Sequence, residues 1–310
     1  MNRGSGKALN VRMFLKKLWK QKWLFVMTLP GLATVLVFNY FPMYGVQIAF
    51  KNFNPMEGIW NSPWVGLTYF ESFFANPTTL QLFKNTLLIG VYSLLWSFPM
   101  PIILALLFNE LRGRRFKKLT QTISYFPFFI STVILCGMIR EFVSRDGLIN
   151  QITEIFGAAP RSFLLFPEYF RTIYISSGIW QGVGFGSIIY LAALTGVDPE
   201  MLDAASIDGA NRFQKIYYIH WPAIQPTTII LLIFAIGGIL GNDFTKILLL
   251  KNAQIESVAG VIGTYTFEEG IQRRQFEYTT AIGLFMSVIG FMLISITNWV
   301  SKKVSDTSLW

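Results

Sequence analysis

The sequence predicts an all-α integral membrane protein with six transmembrane helices, and three observations lead there. Of the 310 residues, 53% are hydrophobic and only 14% charged, whereas an ordinary soluble domain carries about a quarter charged residues. The apolar residues gather into six blocks free of Asp, Glu, Lys and Arg. Between those blocks, Lys and Arg are shared unequally by alternate connections.

The blocks are Trp23–Phe50, Asn85–Asn109, Leu119–Ile139, Thr172–Val197, Trp221–Asn242 and Thr279–Ser301, each 21 to 28 residues long. A helix needs roughly 20 apolar residues to cross the hydrocarbon layer. Lipid offers no partner to backbone N–H and C=O groups, so blocks of this kind should be helical. A soluble α protein with long core helices is the competing reading, and six uncharged blocks weigh against it.

Orientation follows from Lys and Arg, which resist translocation. The leader before the first block holds Arg3, Lys7, Arg12, Lys16, Lys17, Lys20 and Lys22 and no acid. Arg112, Arg114, Arg115, Lys117 and Lys118 follow the second block. With Arg212, Lys215, Lys302 and Lys303, one side collects 16 basic and 6 acidic residues, against 10 and 11 on the other. This places both termini in the cytoplasm. The expected organisation is a basic leader over 1–22, a transmembrane domain over 23–301 and a short tail over 302–310. A basic tract can also mark a nucleic-acid-binding arm, but a hydrophobic span follows this one at once, so no nucleic-acid partner is expected. The apolar region is too long for a cleaved signal peptide.

Pro30 and Pro42 interrupt the first block, Pro99 and Pro101 the second and Pro127 the third; each removes a backbone hydrogen bond and bends a helix. Gly178, Gly182, Gly184 and Gly186 recur in the fourth, where they permit close helix approach. Outer connections of 32 to 36 residues (Lys51–Lys84, Arg140–Arg171, Asp243–Tyr278) exceed ordinary loops and suggest structured caps or docking surfaces. Cys136 has no cysteine partner and reads as a packing residue.

Some chemistry is missing. No Asp, Glu, His, Lys or Arg lies near the middle of any block, whereas carriers driven by ion gradients use intramembrane Asp, Glu, His or Arg as relays. There is no G-x-x-x-x-G-K-[ST] phosphate loop, no H-E-x-x-H and no G-x-S-x-G. Catalytic, cofactor-binding and metal-ligating residues therefore have no candidates. His220 reads as interfacial. Energy must come from a partner.

The connection that could receive it runs from Asp198 to Pro222. Asp198 can cap a helix whose first residue, Pro199, has its φ already set. Asp208-Gly209 is a natural stop, because glycine accepts the left-handed conformation. Asn211 can cap a second helix, Arg212 to His220, ending at Pro222. The expected product is a short helix–turn–helix offering small and apolar residues for a partner to bury.

This segment resembles the signature E-A-A-x3-G-x9-I-x-L-P of binding-protein-dependent ABC importer permeases. Here it reads Asp203-Ala204-Ala205-Ser206-Ile207-Asp208-Gly209, nine residues, then Ile219-His220-Trp221-Pro222. Asp203 stands for Glu and Trp221 for Leu. Further stretches are similar to the branch handling complex and polysaccharide-derived sugars: Phe41-Pro42-Met43-Tyr44-Gly45, Ser62 to Leu67, Asn85-Thr86-Leu87, Phe98 to Leu106, Ser187 to Leu194 and the closing Ser308-Leu309-Trp310. Phe128 replaces a histidine common in that branch, and residues around Phe244-Thr245-Lys246 diverge.

The resemblance implies a type I ABC importer permease in a bacterial cytoplasmic membrane. Its partners would be a second, non-identical permease, two ABC ATPase subunits carrying ATP and Mg, and a lipid-anchored extracytoplasmic solute-binding protein. Asp203 to Gly209, with Ile219 and Pro222, would form the ATPase-coupling element, and the cargo would be a sugar or oligosaccharide. Trp180, Gln181, Asn242 and Asp243 fall in the outer halves of the fourth and fifth blocks and are candidates for the substrate path, since sugars are held by aromatic faces and hydrogen-bonding side chains. Other readings remain: a permease for a non-sugar solute, a secondary carrier or channel, or a membrane-embedded enzyme.

Overall fold

A computed structural model describes residues 19–305 and 308–309. Nearly all of the basic leader, and Trp310 of the closing motif, lie outside the described residues. The chain divides into two compact units, Met1–Thr68 and Tyr69–Trp310.

In the first unit, α1 spans Lys22–Phe50. Pro30 lies inside it, the helix widens into a π turn at Leu36–Tyr40, and it tightens to a 3-10 turn over Tyr44–Phe50. The missing proline N–H and the change of pitch have one cause: backbone partners must be exchanged where the regular ladder fails. No side chain of Lys22–Val35 is buried. Such an apolar exterior suits lipid or another chain rather than water. Beyond α1, Lys51 is buried; its Nζ donates to the Ile59 carbonyl at 2.6 Å and lies 4.9 Å over the Trp64 ring. Residues 51–64, at the start of that connection, are thus folded on themselves.

The second unit contains α2 (Thr68–Ala75, whose first residue belongs to the other unit), α3 (Thr79–Glu110), α4 (Arg114–Phe129), α5 (Thr132–Phe142), α6 (Leu148–Ile155), α7 (Pro167–Leu194), α8 (Pro199–Ile207), α9 (Arg212–Gly237), α10 (Phe244–Leu250), α11 (Ile262–Phe267) and α12 (Phe276–Ser305). Among the described residues there is no β-strand. Helices α1, α3, α7, α9 and α12, of 26 to 32 residues, are each long and apolar enough to cross a membrane.

The third block, where Pro127 leads one to expect a bend, is broken outright: α4 and α5 meet at 99°. Pro127 shapes a 3-10 turn over Phe126–Phe129, and the Ser131 hydroxyl accepts a hydrogen bond from the Ile134 N–H to start α5 afresh. A break inside apolar surroundings exposes carbonyls that must find partners. Gln181 supplies one, its Nε2 donating to the Ile130 carbonyl at 3.0 Å.

The fifth span also departs from expectation at both ends. Arg212 begins a helix that does not stop at His220 but continues through Pro222 into α9. A π turn at Ile216–His220 shifts the hydrogen-bond ladder just before the residue that cannot donate. At the far end α9 stops at Gly237 rather than Asn242, since Gly237, Gly238 and Gly241 favour a turn over a helix.

Three apolar cores hold the long helices of this unit, one of them joining α12 to α2, α3 and α11 through Phe73, Leu82, Ile262 and Ile282. Ile102, Ala105, Tyr190, Leu194 and Ile224 join α3, α7 and α9 near the α8 end. Ile89, Leu135, Phe170, Ile247 and Ile255 join α3, α5, α7 and α10 at the other. Cys136 is buried in the core around Leu135 and Phe170, as a packing residue would be. Phe128, which replaces the histidine, stacks on Phe185 with ring centroids 3.9 Å apart.

Candidate functional site

Two regions concentrate polar order. The first is the connection between α7 and α9. Asp198 Oδ1 accepts the Glu200 N–H at 2.9 Å and Pro199 occupies the first turn, so the start of α8 is capped as its sequence requires. At its end Gly209 takes φ +77°, and the Ala210 N–H returns to the Ala205 carbonyl at 2.9 Å, closing a left-handed C-terminal turn. Asn211 and Gln214 form a reciprocal capping box at 2.8 and 2.9 Å. Lys215 Nζ donates to Ser206 Oγ at 2.6 Å, tying the start of α9 to α8.

These bonds set the shape of the hook, yet they bury almost nothing. No residue of α8 is buried, and Ile207, Phe213, Tyr217 and Tyr218 stand 87%, 83%, 66% and 69% exposed. Asp203, Ala204, Ser206, Asp208, Gly209 and Pro222 are exposed, while Ala205 and Ile219 are half-buried. A rigid, capped turn that shows apolar rings is suited to being covered.

Behind the hook, His220 is buried rather than interfacial, with Asn109 Nδ2 and Glu110 Oε1 at 3.3 and 3.5 Å from its Nε2. It links the hook to the end of α3. Its placement follows from the π turn, which periodicity does not reveal.

The second region lies at the opposite end of the long helices. A cavity of about 380 Å³ is lined by Ser93 and Ser97 of α3, Tyr174 of α7, and Asn242 and Asp243 beyond α9, with Gly90, Gly238 and Gly241. Asn242 Nδ2 donates to the Thr86 carbonyl at 3.0 Å. Asp243 caps α10 by accepting the Lys246 N–H at 3.1 Å. The two residues thus sit in a polar turn facing the cavity. Trp180 and Gln181 are placed elsewhere: Trp180 lines two largely apolar clefts against α3, α4 and α5, and Gln181 serves the break before α5.

Lys246 was not apparent as a site residue. It is 3% exposed, its Nζ donates to the Tyr174 carbonyl at 3.0 Å and lies 4.9 Å from the Tyr174 ring centroid. Burial pushes the amine down to about 8, with the Asp243 carboxylate offsetting part of the penalty. The only signal in the sequence is a lysine beside Ile247-Leu248-Leu249-Leu250. A pKa near 8 rather than 10.5 disfavours the charged form by on the order of 3 kcal/mol. That penalty is fully present below pH 8 and disappears as pH rises toward the unfolded value, so stability should increase with pH through this window. Thermal melts of the detergent-solubilised protein should show that rise, and Lys246→Met should remove it. An identical rise in the variant would assign it to another group.

Residues 97–306, from within α3 to the end of α12, match the family of binding-protein-dependent transport system inner membrane components. The chain is 42% identical to the polygalacturonan/rhamnogalacturonan transport system permease protein YteP of Bacillus subtilis, over 96% of this chain and 94% of that protein. It is 41% identical to the protein LplB of the same organism, over 99% and 96%. A crystal structure of a bacterial alginate ABC transporter in complex with an alginate pentasaccharide-bound periplasmic protein contains a chain that is 37% identical and superimposes with a TM-score of 0.86, covering 95% of this chain and 99% of that one. With a family model covering more than half its length and relatives matched nearly end to end, the chain belongs to the inner-membrane permeases of binding-protein-dependent ABC transport systems.

Proposed function

We propose that this permease imports an oligosaccharide derived from a complex polysaccharide, and that it is driven through α8 by separate ATPase subunits. The observation that carries the coupling role is the hook: caps at Asp198, Gly209 and Asn211 and a lysine tie hold a turn whose aromatic rings stand uncovered among the described residues. Asp203 to Gly209, with Ile219 and Pro222, would lie in a cleft of an ABC ATPase. Closing of the ATPase pair on ATP and Mg would draw two such hooks together, one from this chain and one from a second, non-identical permease. The two long-helix assemblies would then open outward, each partner biasing a two-state arrangement. This chain would bind no nucleotide and perform no catalysis.

The cargo reading rests on the carbohydrates named for the relatives and on the cavity at the far end, where Ser93, Ser97, Tyr174, Asn242 and Asp243 offer hydroxyl, amide and carboxylate groups beside the apolar Leu94, Phe98 and Ile239. Trp180 and Gln181 have weaker claims, since the amide is already engaged. The asymmetry of Lys and Arg supports cytoplasmic termini, and a lipid-anchored solute-binding protein would dock on the outer caps. The expected limits remain 1–22 for the leader, 23–301 for the membrane domain with its coupling segment at 198–222, and 302–310 for the tail.

Cross-linking tests the coupling role. Ser206→Cys, with the bifunctional reagent bismaleimidohexane, is expected to capture an ATPase subunit in transporting membranes, while the buried Cys136 leaves the wild type blank. Failure to capture any nucleotide-hydrolysing subunit in membranes that are importing oligosaccharide would sink it. Uptake driven by a proton or sodium gradient without ATP would instead favour a carrier.

A further inference from the structure

Away from both regions, the segments before α3 and α12 enclose a second polar cavity, of about 580 Å³, at the end of the long helices opposite α8. Tyr69, Ser72 and Asn76 come from α2 and its exit; Tyr265, Glu269, Arg273, Gln275, Glu277 and Tyr278 come from α11 to the start of α12. Its polar groups are bonded to one another. Asn76 Nδ2 donates to Tyr265 Oη at 2.9 Å, Tyr265 Oη and Tyr278 Oη are 3.1 Å apart, and Arg273 Nη1 donates to Glu269 Oε1 at 2.8 Å. Beneath them lies an apolar floor of Phe73, Leu82, Ile262, Tyr278 and Ile282.

The backbone around this cavity is unusual in two ways that packing alone does not require. A π turn over Glu268–Gln272 carries Glu269 inward, leaving it 6% exposed, and turns Ile271 outward at 62%. Single π turns of this kind concentrate at functional sites. Two residues on, Arg274 is the only non-glycine among the described residues with a left-handed backbone, at φ 60°. Held strain of this kind costs roughly 1 kcal/mol or more and persists where the surroundings over-determine it. Here the surroundings are tight, since a side chain at Gly270 would meet Thr279 Oγ1 at 2.7 Å.

We infer that this cavity is an outer saccharide subsite, taking a neutral sugar unit of the oligosaccharide before it reaches the path. The inference rests on the sugar-import reading above. Tyrosine rings over an apolar floor provide surface for a sugar's C–H faces, while Gln275, Glu269 and Glu277 offer the acceptors and donors that ring hydroxyls need. Charge selects the class. Two carboxylates face one guanidinium, which is already paired with Glu269, so a uronate would meet net negative charge and a neutral unit would not.

The test uses the intact transporter complex in nanodiscs and saturation-transfer NMR with two probes, arabinotriose and trigalacturonate. Arabinotriose should show transfer, and Ser72→Trp, which fills the cavity from an exposed rim position, should weaken it at least ~5-fold. Tyr265→Phe keeps the ring and removes one hydroxyl; it should give a smaller loss of transfer, with a melting temperature lowered by the partners that Asn76 and Tyr278 lose. Absence of arabinotriose transfer in the wild type, stronger transfer to trigalacturonate, or an unchanged signal in Ser72→Trp would each overturn the inference. If Ser72→Trp spares saccharide contact but blocks capture of the solute-binding protein, the cavity is a docking socket and the inference fails. ATP-dependent oligosaccharide uptake by the wild-type complex is measured alongside, so loss of the subsite and loss of the import reading are separate results.

Discussion

Gly209→Val is expected to abolish oligosaccharide uptake and transport-linked ATP hydrolysis while leaving the protein inserted and folded. Gly209 holds φ +77°, and a β-branched residue in that region costs roughly 1–2 kcal/mol or more. No neighbouring atom lies within 4 Å of the Cβ it would acquire, so the strain is local and can be relieved by rotating the turn. Relief reverses the direction of the chain between α8 and α9, breaks the Ala210 to Ala205 hydrogen bond and misplaces Ile207 against Phe213. A hook displaced by a few ångströms would no longer fit the proposed ATPase cleft. Uptake should fall at least ~10-fold, the equivalent of losing one well-made contact, with normal membrane abundance. Gly209→Ala should fall between the two. Wild-type uptake in the valine variant would count decisively against the coupling role.

The second large effect concerns assembly of the bundle. Gly184→Val should prevent accumulation of folded protein. A Cβ at Gly184 would run into the Ser124 carbonyl of α4, which is backbone and cannot turn aside. Helices α4 and α7 would have to separate, exposing the Phe128–Phe185 stack and straining the Gln181 bond that satisfies the Ile130 carbonyl. Overpacking of this kind costs about 3 kcal/mol, and loss of the buried amide contact adds to it. Gly182, two residues earlier, meets nothing within 4 Å, so Gly182→Ala is the control and should be tolerated. The yield of monodisperse protein after detergent extraction, with its melting temperature, decides the matter. A Gly184→Val protein that purifies and melts like the wild type would show that α4 and α7 do not need this contact.

These two glycines stand differently in the sequence. Gly209 was legible, because Asp-Gly after a capped apolar turn is a local signal and the conformation it requires is set by its own Cβ. Gly184 was not, since it sits among Gly178, Gly182 and Gly186, and nothing local tells which one faces a neighbouring backbone. The same division runs through the path. Asn242 and Asp243 could be proposed from their polarity at the end of an apolar block, and both line a cavity. Gln181 was a reasonable candidate on the same ground, but a broken helix uses its amide.

Composition and charge distribution were enough to establish a multi-spanning helical protein, because water-free surroundings force every backbone group into local hydrogen bonds and leave the helix as the outcome. Residue spacing also specified the hook, whose caps join groups only a few positions apart. Pro127 marked a break between α4 and α5, but tertiary packing alone decided how sharply they meet, that Lys246 is buried against Tyr174, and that Tyr69, Tyr265 and Tyr278 surround one cavity. Those features depend on which helices touch, and contacts between residues distant along the chain leave no periodic trace in it.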